Sequence, residues 1–238
     1  KAIYHDLKMV VDSLVRFKRV DYEYDLYSGK VTLVSYNRGK ADQFYQKYSY
    51  DSDNRIVAVH TSNNGLKWDR DAHYEYYDHG PLARMELGEQ RVQGVDYAYT
   101  INGWLKAING IQNHPQADIG EDGIAGVVMP RDVFSQRIDY FTGDYKAISD
   151  SDFFKKLPAA SKSLYNGNIA AIATSLVPFS NVHSKYHYDP LQRIDRADYT
   201  EYEYDYSSSL LSSTNIPDWY SEYKYDSDGN LLKLKREG

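Results

Sequence analysis

Hydrophobic and polar residues alternate in short runs along much of this chain. "KVTLVSY" (30–36) and "RIVAVHT" (55–61) place apolar side chains at every second position. That period belongs to a strand with one buried face. Each such run follows a phrase that keeps returning: "YEYDLYSGKV" (22–31), "YSYDSDNRI" (48–56), "YEYYDHGPL" (74–82), "YAYTINGWL" (97–105), "YHYDPLQRI" (186–194), "YEYDYSSSL" (202–210) and "YKYDSDGNL" (223–231). Self-similarity of this kind bears on the whole fold before any local detail does. The copies begin at residues 22, 48, 74 and 97, then at 186, 202 and 223. This loose spacing describes a hairpin with a variable return rather than a rigid solenoid coil.

Each part of the phrase has a physical role. Tyr-x-Tyr puts two rings on one face of a strand. The pairs are Tyr22 and Tyr24, Tyr48 and Tyr50, Tyr74 and Tyr76, Tyr97 and Tyr99, Tyr186 and Tyr188, Tyr202 and Tyr204, and Tyr223 and Tyr225. The aspartate that follows (Asp25, Asp51, Asp78, Asp189, Asp205 or Asp226) can accept backbone N–H groups two residues on and start a turn. A glycine such as Gly29, Gly80, Gly103 or Gly229, or an asparagine, supplies the positive φ of a tight turn. An aliphatic residue then opens the return strand: Val31, Ile56, Leu82, Leu105, Ile194, Leu210 or Leu231. Each copy reads strand, short turn, strand, and the rings of neighbouring strands are expected to form ladders.

The phrase fades between 107 and 165. "INGIQNHPQADIGEDGIAG" (108–126) reads as a long loop or insertion, and "YFTGDYKAI" (140–148) as a degenerate hairpin. "SDSDFFKKL" (149–157) has helix-start residues and stops before Pro158, which predicts a short helix. "YNGNIAAI" (165–172) carries an Asn-Gly turn signal. Residues 7–15 fit either a helix or a strand. The chain as a whole, 1–238, predicts a single all-β domain: a curved antiparallel sheet of hairpins with a loop and short-helix insertion at 107–165.

Composition sharpens this picture. There are 25 tyrosines against 7 phenylalanines and 3 tryptophans. Tyrosine, with an apolar body and a polar tip, suits a half-buried pleated surface. The net charge is −6 and the basic residues are scattered. Nucleic-acid binding needs clustered positive charge, so it is not expected. Without cysteine there is neither a disulfide framework nor a thiolate metal site. No apolar run approaches the length of a membrane-spanning helix. The chain opens on Lys1 and reads as a piece of a longer protein.

The chemistry of sites adds little. The seven histidines show no metal-ligand spacing such as HExxH. "DSDN" (51–54) and "DSDGN" (226–230) are turns of the repeat, and no calcium loop is complete. Asp118, Glu121 and Asp122 are the acidic residues that the repeat explains least, and they form a candidate weak cation site. There is no nucleophile elbow, phosphate loop or cysteine nucleophile. The expectation is no enzyme and no cofactor. Exposed tyrosines offer an alternative role, stacking on sugars as a carbohydrate- or cell-surface-binding module.

The copies "YSYDSDNRI", "YHYDPLQRI" and "YKYDSDGNL" resemble the signature of the YD-repeat, or Rhs (rearrangement hotspot), family. "DLYSGKV", "HGPLARMELG", "YFTGDY" and "YNGNIAAI" are similar to the subgroup found in large surface or secreted proteins of Bacteroidetes. "YAYTINGWL", with Thr100 in place of aspartate, and "YEYDYSSSL", without glycine, depart from the pattern. The resemblance implies a partial Rhs-type shell, in which repeats build a long antiparallel sheet that spirals round a C-terminal toxic or effector domain. It implies a secreted or cell-surface bacterial protein whose partner is the remainder of its own polypeptide. Edge pairing into a homodimer and contact with glycans follow as further possibilities; membrane insertion does not. The family's self-cleaving core has no counterpart here, so self-cleavage is not implied for this chain.

Overall fold

In a computed structural model, residues 2–6, 17–110, 114, 117–146, 163–179, 181–205, 210–213 and 219–237 are described. They form two compact units, Lys1–Gly94 and Val95–Gly238. The regular elements among the described residues are all strands, and every pairing given below is antiparallel. The helix expected at 149–157 and the ambiguous segment 7–15 lie outside the described residues.

The first unit holds β1 (Ala2–Asp6), β2 (Phe17–Tyr24), β3 (Val31–Tyr36), β4 (Phe44–Tyr50), β5 (Ile56–Ser62), β6 (Asp69–Tyr76) and β7 (Leu82–Leu87), each paired with the next in chain order. The register shows why alternation was so clear. Tyr48 lies opposite Val59, Val59 opposite Ala72, and Ala72 opposite Leu87. One face therefore carries rings and aliphatic groups. The other carries Lys47, His60 and Arg70 in a row. Burial, with Tyr50, Tyr22 and Tyr74 close by, raises the Tyr48 hydroxyl above its ordinary pKa. Rings on β2, β4 and β6 thus come near one another across the intervening strands.

The second unit contains most of β8 (Gln93–Tyr99), then β9 (Leu105–Ile108), β10 (Phe134–Asp139), β11 (Ala171–Leu176), β12 (Asn181–Tyr188), β13 (Ile194–Asp205), β14 (Leu210–Ser213), β15 (Trp219–Tyr225) and β16 (Leu231–Glu237). Chain order is kept except that β13 carries both β14 and β15 on its second side. The stretch 107–165, expected as a loop and short-helix insertion, also holds a strand. Strand β10 lies inside that stretch and pairs with both β9 and β11. The alternation of "FSQRID" is polar, which hides the strand in the sequence: Ser135, Arg137 and Asp139 share one buried face. Around them sit Ala107, Ala171 and Ala173, all essentially inaccessible. Small residues let long charged side chains lie flat over the sheet.

A repeated turn station and a buried carboxylate cluster

The hairpin turn is the same object in copy after copy. At Asp51, the backbone N–H bonds to the Arg55 carbonyl (3.0 Å) and the Asp51 carbonyl accepts from Asn54 (3.1 Å). Its carboxylate accepts from the N–H groups of Asp53 and Arg55, at 3.0 and 2.8 Å. Asp189 repeats this with Leu191 and Arg193, and Asp226 with Asp228 and Asn230. Donation from Arg55 N–H and Arg193 N–H holds the Asp51 and Asp189 carboxyls below the usual carboxylate range. For Asp226 the Asn230 side chain contributes most. The residue three positions after the aspartate takes positive φ: Asn54 at 63°, Gln192 at 65° and Gly229 at 89°. In the first copy the loop is one residue longer, with Gly29 at 69° and the Asp25 carboxylate on Ser28 N–H (2.6 Å).

Each turn is joined to its strands by a register shift just before the second tyrosine, at Tyr24, Tyr50, Tyr76, Tyr99, Tyr188 and Tyr225. A turn ending in a left-handed residue with an adjoining bulge is a common hairpin geometry. Two copies correct the expected assignment. In "YEYYDHGPL" the turn opens at Tyr77, which bonds to Pro81 O and Gly80 N, so Asp78 is the second residue of the turn and not its initiator. In "YAYTINGWL" Thr100 keeps the backbone pattern, and its hydroxyl accepts from Trp104 N–H (3.2 Å) in place of a carboxylate. For "YEYDYSSSL", residues 206–209 lie outside the described residues, as do the side chains of Tyr204 and Asp205. Tyr202 is buried, which pushes its hydroxyl up to about 12.

Neighbouring hairpins are linked by a contact the repeat does not reveal in isolation. In four hairpins the second tyrosine donates its hydroxyl to the first return residue of a hairpin beside it in the sheet. Tyr50 reaches Val31 O (2.8 Å), Tyr76 reaches Ile56 O (2.7 Å), Tyr188 reaches Ile169 O (2.8 Å) and Tyr225 reaches Ile194 O (2.8 Å). An arginine completes the link twice. Arg55 bonds to its own Asp51 (2.7 Å) and lies 4.5 Å from the centre of the Tyr76 ring. Arg193 bonds to Asp189 (2.6 Å), lies 4.7 Å from the Tyr225 ring and donates to Asp226 O (3.0 Å).

The acidic loop has a different organisation from the one expected. Asp118 and Asp122 are buried, whereas Glu121 is exposed and takes no part in the cluster. Its place is filled by Asp96 from β8, and carboxylate oxygens of Asp96, Asp118 and Asp122 lie within 4.8 Å of one another. Oxygen-only donors are the class that hard divalent cations take, although calcium uses six to eight of them. A proton also serves here. Burial, a hydrogen bond with Asp118 and the charges of Asp118, Asp122 and Asp96 push Asp132 up to about 9. A proton held within the Asp118 and Asp132 pair eases the crowding of like charges. The loop's close seating is visible at Gly110, where a side chain would strike the Ala117 carbonyl. Asp96 and Asp132 carry no sequence signal because they sit outside the acidic 118–122 run, and only the fold brings them to it.

A second buried polar group sits over β9 and β10. Lys106 Nζ bonds to Asp139 (2.6 Å) and Asp144 (2.7 Å), and Arg137 Nε bonds to Asp139 (2.8 Å). Burial works against the Asp139 charge, yet Arg137 and Lys106 together hold its carboxyl below the usual range. Every charge in this group has an opposite partner, which is how charges are retained in an interior. Neither cluster presents a nucleophile beside a base.

No family model matches the chain, and no curated protein is similar to it. Among solved structures, the chain is similar to part of a variant Tc holotoxin pore from Photorhabdus luminescens, with a TM-score of 0.56 and 16% identity. The match covers 93% of this chain and 9% of that one. At this identity the likeness is one of fold: an antiparallel all-β sheet also found as a small part of a toxin assembly.

Proposed function

We propose that this chain is a non-catalytic wall segment of a YD-repeat, Rhs-like shell in a secreted or cell-surface protein, enclosing or presenting an effector domain carried by the same polypeptide. The observation that carries this reading is the repeated station. Turn, bulge, tyrosine hydroxyl and arginine recur in both units and tie neighbouring hairpins together. A device repeated along a sheet builds a wall, whereas a binding or catalytic site is local. The fold likeness to a toxin assembly supports the same reading. Strand β16 ends the strand order, and Leu231, Leu232 and Leu234 on it are exposed. Such an edge invites a further strand, either from the same polypeptide or from a second copy. The reading is tested by removing the hairpin of β4 and β5 from the parent protein and following proteolysis of the enclosed domain. Cleavage of that domain should rise sharply when the wall is breached. Unchanged protection, or a parent protein with no enclosed domain, overturns the proposal.

A further inference from the structure

An open groove of about 630 Å³ lies in the second unit between the 163–168 turn and the turn that follows β12. Its volume is in the range of small-ligand sites. We infer that this groove is a subsite for a neutral saccharide, with the Tyr165 ring as its stacking platform and the side-chain amides of Asn166 and Gln192 as its polar rim.

Three observations carry the inference. The first is the ring itself. Tyr165 is 73% exposed, and its ring is supported from one side. Phe141 supports it at 4.7 Å between ring centres, and Gly167 two residues on is seated against Trp104, where an added side chain would come within 3.2 Å of the indole. An exposed ring held in place from the side offers a flat apolar surface with little entropy left to lose on binding. A ladder tyrosine of the repeat has no such freedom to contact a ligand: Tyr188, which lines the same groove, spends its hydroxyl on Ile169 O.

The second is the amide rim. Asn166 and Asn168 both donate to Gln192 Oε1, at 2.6 and 2.7 Å. This clamps the 163–168 turn to the next hairpin turn and orients the Gln192 amide. Gln192 adopts positive φ, where the other copies use asparagine or glycine, so this turn carries a long amide side chain at a strained position. Planar amides beside an aromatic face match vicinal hydroxyls above the apolar face of a pyranose.

The third is charge. Among the described residues, those lining the groove include Asp189 and no lysine or arginine. The nearest arginine, Arg193, is committed to Asp189, to Asp226 O and to the Tyr225 ring. An anionic glycan or a phosphate would meet an arginine already engaged by the Asp189 carboxylate. A neutral polyol would meet acceptors and amide donors. This inference is independent of the wall reading, since a wall can stand with or without a sugar on its surface.

The test is saturation-transfer difference NMR on the chain with maltotriose, cellotriose and chitotriose at millimolar concentration, and a sulfated heparin disaccharide as the charged control. At least one neutral trisaccharide should bind and the sulfated sugar should not. Tyr165→Ala should weaken binding about tenfold or more, as loss of an aromatic anchor does. Tyr165→Phe should retain it, and Gln192→Ala should weaken it without abolishing it. The thermal midpoint of Tyr165→Ala should fall only slightly, because the ring is largely exposed and its one ring contact is with Phe141. Failure of all three neutral sugars, preference for the sulfated one, or undiminished binding by Tyr165→Ala overturns the assignment.

Discussion

Tyr76 does three things at once. Its ring packs on the tyrosine face, its hydroxyl caps the Ile56 carbonyl and its face receives Arg55. Arg55 in turn is anchored by Asp51, so one side chain ties a turn to the following hairpin. A hydrogen bond of this kind contributes about 1 kcal/mol net, and a partly exposed cation over a ring about 0.5–1 kcal/mol. Tyr76→Phe is therefore expected to cost about 1 kcal/mol in urea unfolding. In a double-mutant cycle, Tyr76→Leu and Arg55→Met should show coupling of about 0.5–1 kcal/mol. Strict additivity would mean that the arginine merely lies near the ring. The tyrosine and aspartate of this station were legible in the sequence because each acts within its own hairpin. The arginine was not, since its second partner lies in the next copy, at a distance along the chain that the loose spacing does not fix.

The hairpin is a turn geometry first and a set of residues second. Tyr77 and Thr100 occupy the aspartate position and keep its backbone bonds. Gln192 occupies a left-handed position that asparagine or glycine usually fills. Alternation revealed strands wherever one face was apolar. It failed at β10, where Ser135, Arg137 and Asp139 share one buried face and Ile138 is buried on the other, so the alternation is one of polar groups. Nor could it assemble Asp96 with Asp118, Asp122 and Asp132, which only the folded second unit brings together. The same polar face holds His183 of β12, 5% exposed. Burial lowers its pKa from 6.5 to about 4, helped by Lys185 and Arg137 and opposed by Asp139. In the unfolded chain His183 takes a proton near pH 6.5, while the folded protein resists until about 4. Its contribution is thus whole above pH 6.5 and is lost as pH falls through about 4, an effect of up to about 3 kcal/mol. Unfolding free energies between pH 7 and 4 should fall more steeply for the parent than for His183→Gln. Parallel curves would show that the imidazole is protonated as easily in the folded sheet as outside it.

At the scale of the whole molecule, the two units share one construction rule: with the exception of β14, strands pair in chain order, and tyrosine hydroxyls tie neighbouring hairpins together in both. Their strand orders stay close to chain order, so contacts build up step by step as in other repeat proteins. The strand order ends on β16, with three exposed leucines and alternating lysines, an edge that a soluble protein ordinarily covers or pairs. The wall reading and this edge make one claim together. The measurement that tests it most directly is a cryo-EM structure of the parent protein that contains this stretch. The predicted result is a sheet that continues past the outer edge of β16 and curves round an enclosed volume, with the Tyr76 and Tyr225 links intact. A β16 edge open to solvent, or hairpins in a sheet that encloses nothing, would contradict it.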